Sequence, residues 1–277
     1  MLQEHIDMVK KIMFLAMCLL LAASVADAKS KKGGKAAARI DDAAFVADYE
    51  AMMDSLKVVG SNVVVVKDNK IIYSHSFGLK NRERGEEMTP NTIFRIASIS
   101  KSFTATAIMQ LVEKGKLDLK ADVNKYLDFK LRNPNYPDVL DHYQMCKNTA
   151  RLSAAGGVKI TAMDLAKYML MHMNYGKSPL AKARIISEAS ARRMQTVITD
   201  DANANTEKER AGLGLMRADE FTPGTELVGH TGGAYGLRSA MFFDPVKKYG
   251  FVVITNGSGS RKVLQRSLTL MRDHFIK

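Results

Sequence analysis

The sequence predicts an α/β (α+β) fold: an antiparallel sheet flanked by N- and C-terminal helices, with a helical insertion between two blocks of strands. Three observations carry this. Hairpin-like strand pairs occur towards both ends of the chain, helical apolar periodicity bounds them at residues 41–57 and 261–277, and helix caps cluster in between. The chain has 277 residues, 46% of them hydrophobic and 25% charged. That composition suits one large domain or two interleaved ones with a sizeable core. No internal repeat is evident.

The elements follow in order. Within residues 41–57, Phe45, Tyr49, Met52, Met53 and Leu56 fall on one side of a helix. Asn62 to Val66 and Ile71 to Phe77 flank Lys67-Asp68-Asn69-Lys70 as a β-hairpin, and Gly78 is expected to permit a close turn after it. Thr89-Pro90-Asn91 breaks the chain before a strand-like Thr92 to Ile96, and an apolar-periodic helix runs from Ser98 to about Gly115. Leu117 to Asp138, marked by Pro134 and Pro137, reads as a loop-rich crossover, and residues 139–155 have no strong period. Thr161 with Asp164 caps a helix running to about Asn174, whose Met163, Met169, Met171 and Met173 read as packing residues. Ser187 caps a short helix through Met194. Gly212 to Met216, Leu227 to His230, Arg238 to Phe243 and Gly250 to Thr255 read as strands, with Asp244-Pro245 and Lys247 to Gly250 as a hairpin turn.

The N-terminus reads as a secretion signal. Lys10 and Lys11 precede the apolar run Ile12 to Val25, and Ala26-Asp27-Ala28 offers a small-x-small cleavage site. Residues 1–28 are therefore expected to be a signal peptide, 29–41 a basic linker and 42–277 the folded domain, placing the protein in the periplasm or outside the cell. The apolar run is too short for a membrane span, so none is expected in the mature chain. Removal of the signal leaves Cys146 alone, which excludes an intramolecular disulfide. The formal charge is +12, much of its excess in Lys29, Lys31, Lys32, Lys35 and Arg39. Such a tail suits either an anionic surface or a solvated leader. No aromatic-interleaved basic motif points to nucleic acid. The six His residues are scattered, and His142 with Cys146 is too little for zinc, so neither a metal nor a cofactor is expected.

Two short motifs carry chemistry. Ser98-Ile99-Ser100-Lys101 sits where an extended segment gives way to a helix. A serine hydroxyl needs a base to become nucleophilic, and spacing i, i+3 brings Lys101 to Ser98. Unpaired N–H groups at a helix start can face a developing oxyanion. The second motif is His230-Thr231-Gly232-Gly233, read as lying between two strands, where glycines let a ligand backbone approach.

Together these motifs resemble the serine β-lactamase and penicillin-binding-protein family, whose motifs include Ser-x-x-Lys and Lys-Thr-Gly. The branch most similar is that of class C β-lactamases and related esterases and D-aminopeptidases. Thr92 to Ala105, Leu111 to Leu119, Ala154-Ala155-Gly156-Gly157 with Asp164-Leu165, and Gly229 to Gly257 all resemble family segments. The resemblance implies Ser98 as acyl-forming nucleophile and Lys101 as its proton acceptor. It implies the N–H groups of Ser98 and Gly233 as the oxyanion hole, and His230, Thr231 and Gly232 as substrate contacts. It further implies a β-lactamase/transpeptidase-like fold with the site between sheet and helical region. The substrate would be a small molecule or peptide, peptidoglycan-derived peptides included.

The family's central Tyr-x-Asn is missing. Tyr143-Gln144-Met145 carries Met where Asn is wanted, and Tyr136-Pro137-Asp138 belongs to the lead-in of the helical region. From Asp138 the chain reaches Ala154 too soon, so an internal deletion shortens the helical insertion, about residues 118–200. Two functions therefore stand open: an exported serine hydrolase acting on an ester, amide or D-amino-acid peptide bond, or a catalytically inactive truncated member that at most binds cell-wall peptides. His230 is mostly neutral at pH 7 and holds a carboxylate less firmly than a lysine, which favours esterase or peptidase action over β-lactam hydrolysis.

Overall fold

The computed structural model of the protein describes residues 42–128, 154–198 and 210–276. The expected signal peptide, the basic linker, Tyr136, His142, Tyr143 and Cys146 lie outside the described residues.

Chain order begins with α1 (Ala43–Leu56), β1 (Gly60–Lys67), β2 (Lys70–Asn81), β3 (Glu86–Glu87) and β4 (Phe94–Arg95). A 3-10 turn (Ala97–Ile99) leads into α2 (Ser100–Glu113), followed by β5 (Lys159–Ile160), α3 (Ala162–Met173) and α4 (Glu188–Gln195). The last third contains β6 (Arg210–Ala211), β7 (Met216–Ala218), β8 (Leu227–Ala234), β9 (Leu237–Asp244), β10 (Tyr249–Asn256) and α5 (Lys262–Phe275). Eight strands form one sheet in the order β3-β2-β1-β10-β9-β8-β7-β6, and β4 pairs with β5 in a separate ribbon. Every pairing is antiparallel. The fold is thus the mixed α/β architecture the sequence predicts.

Both faces of the sheet are covered. Val63 and Val65 of β1 pack with Phe45, Tyr49 and Met52 of α1 and with Leu264, Leu268 and Met271 of α5. Val64 and Val66 point the other way, into a layer with Leu165, Met169 and Leu170 of α3, Ile96 and Ile99. Burial on both faces explains why Phe251-Val252-Val253-Ile254 of β10 is a continuous apolar run and does not alternate. A buried hydroxyl ties the first layer to the sheet: Tyr49 Oη lies 2.9 Å from both Ser61 Oγ of β1 and Ser267 Oγ of α5.

The turns show how local chemistry fixes the register. Asp68 and Asn69 join β1 to β2 with positive φ at both positions, as a two-residue hairpin turn requires. Tyr235-Gly236, also with positive φ at both residues, does the same between β8 and β9. Thr161 caps α3 reciprocally: its Oγ1 accepts from the Asp164 N–H at 3.1 Å and donates to Asp164 Oδ2 at 2.9 Å.

Four boundaries differ from expectation. Gly78 makes no turn; it lies inside β2 with φ +65°, and a Cβ there would meet the Val59 carbonyl oxygen at 2.3 Å. Gly212 to Met216 is not a strand but mostly the connection between β6 and β7, with Gly214 at φ +72° against the start of α2. β8 runs on to Ala234, so the His-Thr-Gly-Gly segment is strand and not turn. Finally, the strand before Ser98 is only two residues long, and Ser98 sits in the 3-10 turn that precedes α2.

Candidate active site

The site begins with a strained turn. Ala97, buried, has φ +47°, a conformation that costs an alanine about 1–2 kcal/mol. This bend separates β4 from α2 and lifts half-buried Ser98 onto the surface between them. The 3-10 turn runs straight into the helix, and in both conformations residues i and i+3 are neighbours, so Lys101 comes back to Ser98. Lys101 Nζ donates to Ser98 Oγ at 2.8 Å. Desolvation by the surrounding protein lowers the Lys101 pKa from its ordinary value of 10.5, even though the side chain stays largely open to water. A lowered pKa enlarges the fraction of free amine able to accept a serine proton.

Strand β8 is seated against this turn. Gly232 has no room for a side chain: a Cβ would lie 2.3 Å from the Ile96 carbonyl oxygen, 2.4 Å from Ser239 Oγ and 3.3 Å from Ala97 Cβ. Ser239, its register partner on β9, donates from Oγ to the same Ile96 oxygen at 3.0 Å. His230 shares this face, since its partner Met241 packs in the α3 layer. Thr231 does not, because it pairs with Ala240 of the α1/α5 layer. Alternation therefore turns His230 and Gly232 to the face of the sheet against which the Ser98 turn packs, and turns Thr231 to the other face. His230 Nδ1 is bound to the Thr231 carbonyl.

A third segment closes in from the other side. The Ile96 N–H donates to Val158 O at 3.1 Å, Arg95 Nε to Gly156 O at 2.6 Å, and Thr104 Oγ1 to Ala154 O at 2.7 Å. The Val158 N–H in turn donates to Ser100 Oγ at 3.1 Å. Residues 154–158 are thus pinned alongside the Ser98 turn. Sequence reasoning missed Ser239 and Arg95 as parts of this assembly. Ser239 left one signal, a hydroxyl at an inward-facing strand position, whereas Arg95 left none.

Among the described residues no group of His, Cys, Asp and Glu is arranged to hold a metal, and no helix is long and apolar enough to cross a membrane. Two surface clefts, one lined by residues such as Leu117, Tyr126 and Arg193 and one by Arg217, Phe221 and Arg261, include none of the residues above.

Comparison with known proteins bears on family and fold. A family model described as Beta-lactamase matches the chain in two segments, residues 45–142 and 128–274. The esterase EstB of Burkholderia gladioli is 35% identical over 92 residues, 32% of this chain and 24% of that protein. The mitochondrial serine beta-lactamase-like protein LACTB of Bos taurus is 34% identical over 116 residues, 41% of this chain and 20% of that one. The matched stretches therefore span a quarter or less of these relatives. Among solved structures, an octameric penicillin-binding protein homologue from Pyrococcus abyssi superposes with a TM-score of 0.67 at 22% identity, covering 84% of this chain and 78% of that one. A D-amino acid amidase from Ochrobactrum anthropi SV3 gives 0.63 at 14% identity, covering 82% and 99%. At such identities these two likenesses show the fold alone.

Proposed function

The chain belongs to the beta-lactamase family, and on that premise we propose that it is an exported serine hydrolase that works through an acyl-enzyme on Ser98. Its substrate is an ester, an amide or a D-amino-acid peptide bond. The observation that carries the reading is the 2.8 Å contact between Lys101 Nζ and Ser98 Oγ.

The free amine of Lys101 takes the Ser98 hydroxyl proton as Oγ attacks the acyl carbon. Negative charge moves to the acyl oxygen, which the N–H groups of Ser98 and Gly233 receive. Collapse of the tetrahedral intermediate breaks the bond to the leaving group, and the Lys101 ammonium returns its proton to that group. Water then attacks the acyl-serine with Lys101 again as base, releasing the acid and restoring the hydroxyl. His230 and the backbone of Thr231 and Gly232 contact the substrate along β8. The amidase relative by fold and the esterase relative by sequence support an acyl substrate of this kind.

One observation favours a second reading, an inactive member that binds cell-wall peptides. Among the described residues no third side chain hydrogen-bonds Ser98 Oγ or Lys101 Nζ, and the sequence holds no Tyr-x-Asn between Lys101 and His230. A two-member relay turns over slowly, since members of a cooperating set are strongly non-additive.

The test is hydrolysis of a p-nitrophenyl acyl ester by the protein beside Ser98→Ala, with intact-mass detection of the adduct. Turnover or an adduct that vanishes in Ser98→Ala is the expected result; identical behaviour of two folded proteins refutes it. Export rests on the Lys10-Lys11, Ile12 to Val25 and Ala26-Asp27-Ala28 pattern. It predicts that the periplasmic or secreted form has a mass corresponding to cleavage after Ala28.

A further inference from the structure

The peptide unit that joins Ile96 to Ala97 has sparsely populated backbone on both sides. Ile96 has φ −99° and ψ 11°, in the bridge region, and Ala97 has φ +47°, in the left-handed region. Rotating this one peptide plane by about 180° would carry ψ of Ile96 to about −170° and φ of Ala97 to about −130°, both ordinary extended values. Each residue would gain by it: the β-branched Ile96 prefers extended backbone, and leaving the left-handed region favours an alanine about tenfold. The plane stays as it is only because other groups hold it.

Two donors converge on the oxygen of that peptide. The Ser239 hydroxyl donates to Ile96 O at 3.0 Å, and the Ile99 N–H donates to it at 3.3 Å. Both would lose their acceptor if the plane turned. The Ile99 bond spans Ser98, but it is the longer of the two and belongs to the turn itself. Ser239 comes from elsewhere: it is fully buried and fixed in β9 between Gly232 and Ile254. Gly232 has no side chain to stand between the hydroxyl and the carbonyl. Ile96, Ile99 and Ile254 belong to one buried layer, where a hydrogen bond lost is not replaced by one to water.

We propose that Ser239 is a positioning residue for the nucleophile: its hydroxyl locks the Ile96–Ala97 peptide in the orientation that brings Ser98 to Lys101. This rests on the hydrolase reading of Ser98 and adds to it a group that acts through the backbone without touching substrate. The strain at Ala97 and the buried hydroxyl of Ser239 are then two halves of one device, joined through a single carbonyl oxygen.

The experiment is a double-mutant cycle between Ser239→Ala and Ala97→Gly, read in two ways. Glycine takes left-handed φ without penalty, so Ala97→Gly removes the reason for the plane to turn. The first readout is kcat/KM for p-nitrophenyl acetate, which reports acylation of Ser98. Ser239→Ala alone is expected to lower it about tenfold, whereas with Ala97→Gly already in place the same substitution costs about twofold or less. The second readout is hydrogen exchange of the Ile99 amide, which needs no turnover. It is expected to quicken about tenfold in Ser239→Ala and to change little when Ala97→Gly is already present. Wild-type acylation in Ser239→Ala overturns the lock while leaving the hydrolase intact. So does a loss that is equally large with Ala97→Gly in place, since Ser239 would then only pack. If no protein, wild type included, shows Ser98-dependent turnover, the hydrolase reading fails, and the Ile99 amide alone decides the lock. The exchange pattern above sustains it, and exchange indifferent to Ser239→Ala overturns it.

Discussion

Placing a methyl group at Gly232 tests whether strand β8 sets the position of the Ser98 turn. In Gly232→Ala the new Cβ would lie 2.3 Å from the Ile96 oxygen and 2.4 Å from Ser239 Oγ. Ser239 can rotate away, at the cost of its 3.0 Å hydrogen bond to that same oxygen. Ile96 is backbone and cannot, so β8 and the turn must separate by about 1 Å to restore ordinary contact. Overpacking of this kind costs about 1–3 kcal/mol, which for a chain of this size lowers Tm by about 2–10 °C. A displacement of about 1 Å between Ser98 and the β8 backbone costs about a hundredfold in turnover. Gly259→Ala is the control. Its Cβ would meet nothing within 4 Å. Thermal denaturation and ester hydrolysis of both variants check the argument. A Gly232→Ala protein with wild-type Tm and turnover within twofold of wild type would refute it.

Three further outcomes follow from the same structure. Lys101 must be a free amine to act as base, so kcat/KM should rise with pH to an inflection below 10.5, and the profile should flatten in Lys101→Ala. An inflection at or above 10.5 would show that the surroundings do not depress this lysine. His172 is buried, and desolvation lowers its pKa from 6.5 to about 3. The unfolded chain therefore binds a proton below pH 6.5 that the folded chain refuses. Stability present above that pH is lost by about 1.4 kcal/mol per unit as pH falls towards 3, and denaturant titrations of His172→Leu should lack this slope. Tyr49→Phe leaves the buried hydroxyls of Ser61 and Ser267 without their shared partner and should cost about 1–3 kcal/mol in urea unfolding, with no change in the rate of acylation at Ser98.

What the sequence disclosed was local chemistry. The Asp68-Asn69 turn, the Thr161 cap and the apolar run of β10 each depend on side chains within a few positions of one another, and each formed as read. The Ser98–Lys101 contact was also legible. Helix and 3-10 turn both bring i and i+3 together, so misjudging the helix start did not disturb it. Glycine was the main source of error. Gly212-Leu213-Gly214-Leu215 alternates like a strand, but Gly214 takes positive φ to let the β6–β7 connection press on the first turn of α2. The opposite error befell Gly232 and Gly233, read as a turn although they lie inside β8, where the lack of a side chain admits Ile96. Neither outcome is decided by the glycine itself; each is set by a partner far away in sequence. The same holds for Arg95 opposite Lys159, separated by more than sixty positions in the chain and joined only by strand pairing.

These distinctions bear on what the shortened helical region expected from the sequence would take away. The sheet is closed by α1 and α5 on one face and by α3 and the Ser98 turn on the other, and both core layers are continuous among the described residues. Family similarity likewise continues on both sides of residues 128–142, where its two segments overlap. The fold therefore does not depend on the stretch that would carry the central Tyr-x-Asn. Under the proposed acyl-enzyme reading catalysis would depend on it more, because a base with one fewer relay partner would have only Lys101's own lowered pKa to work with.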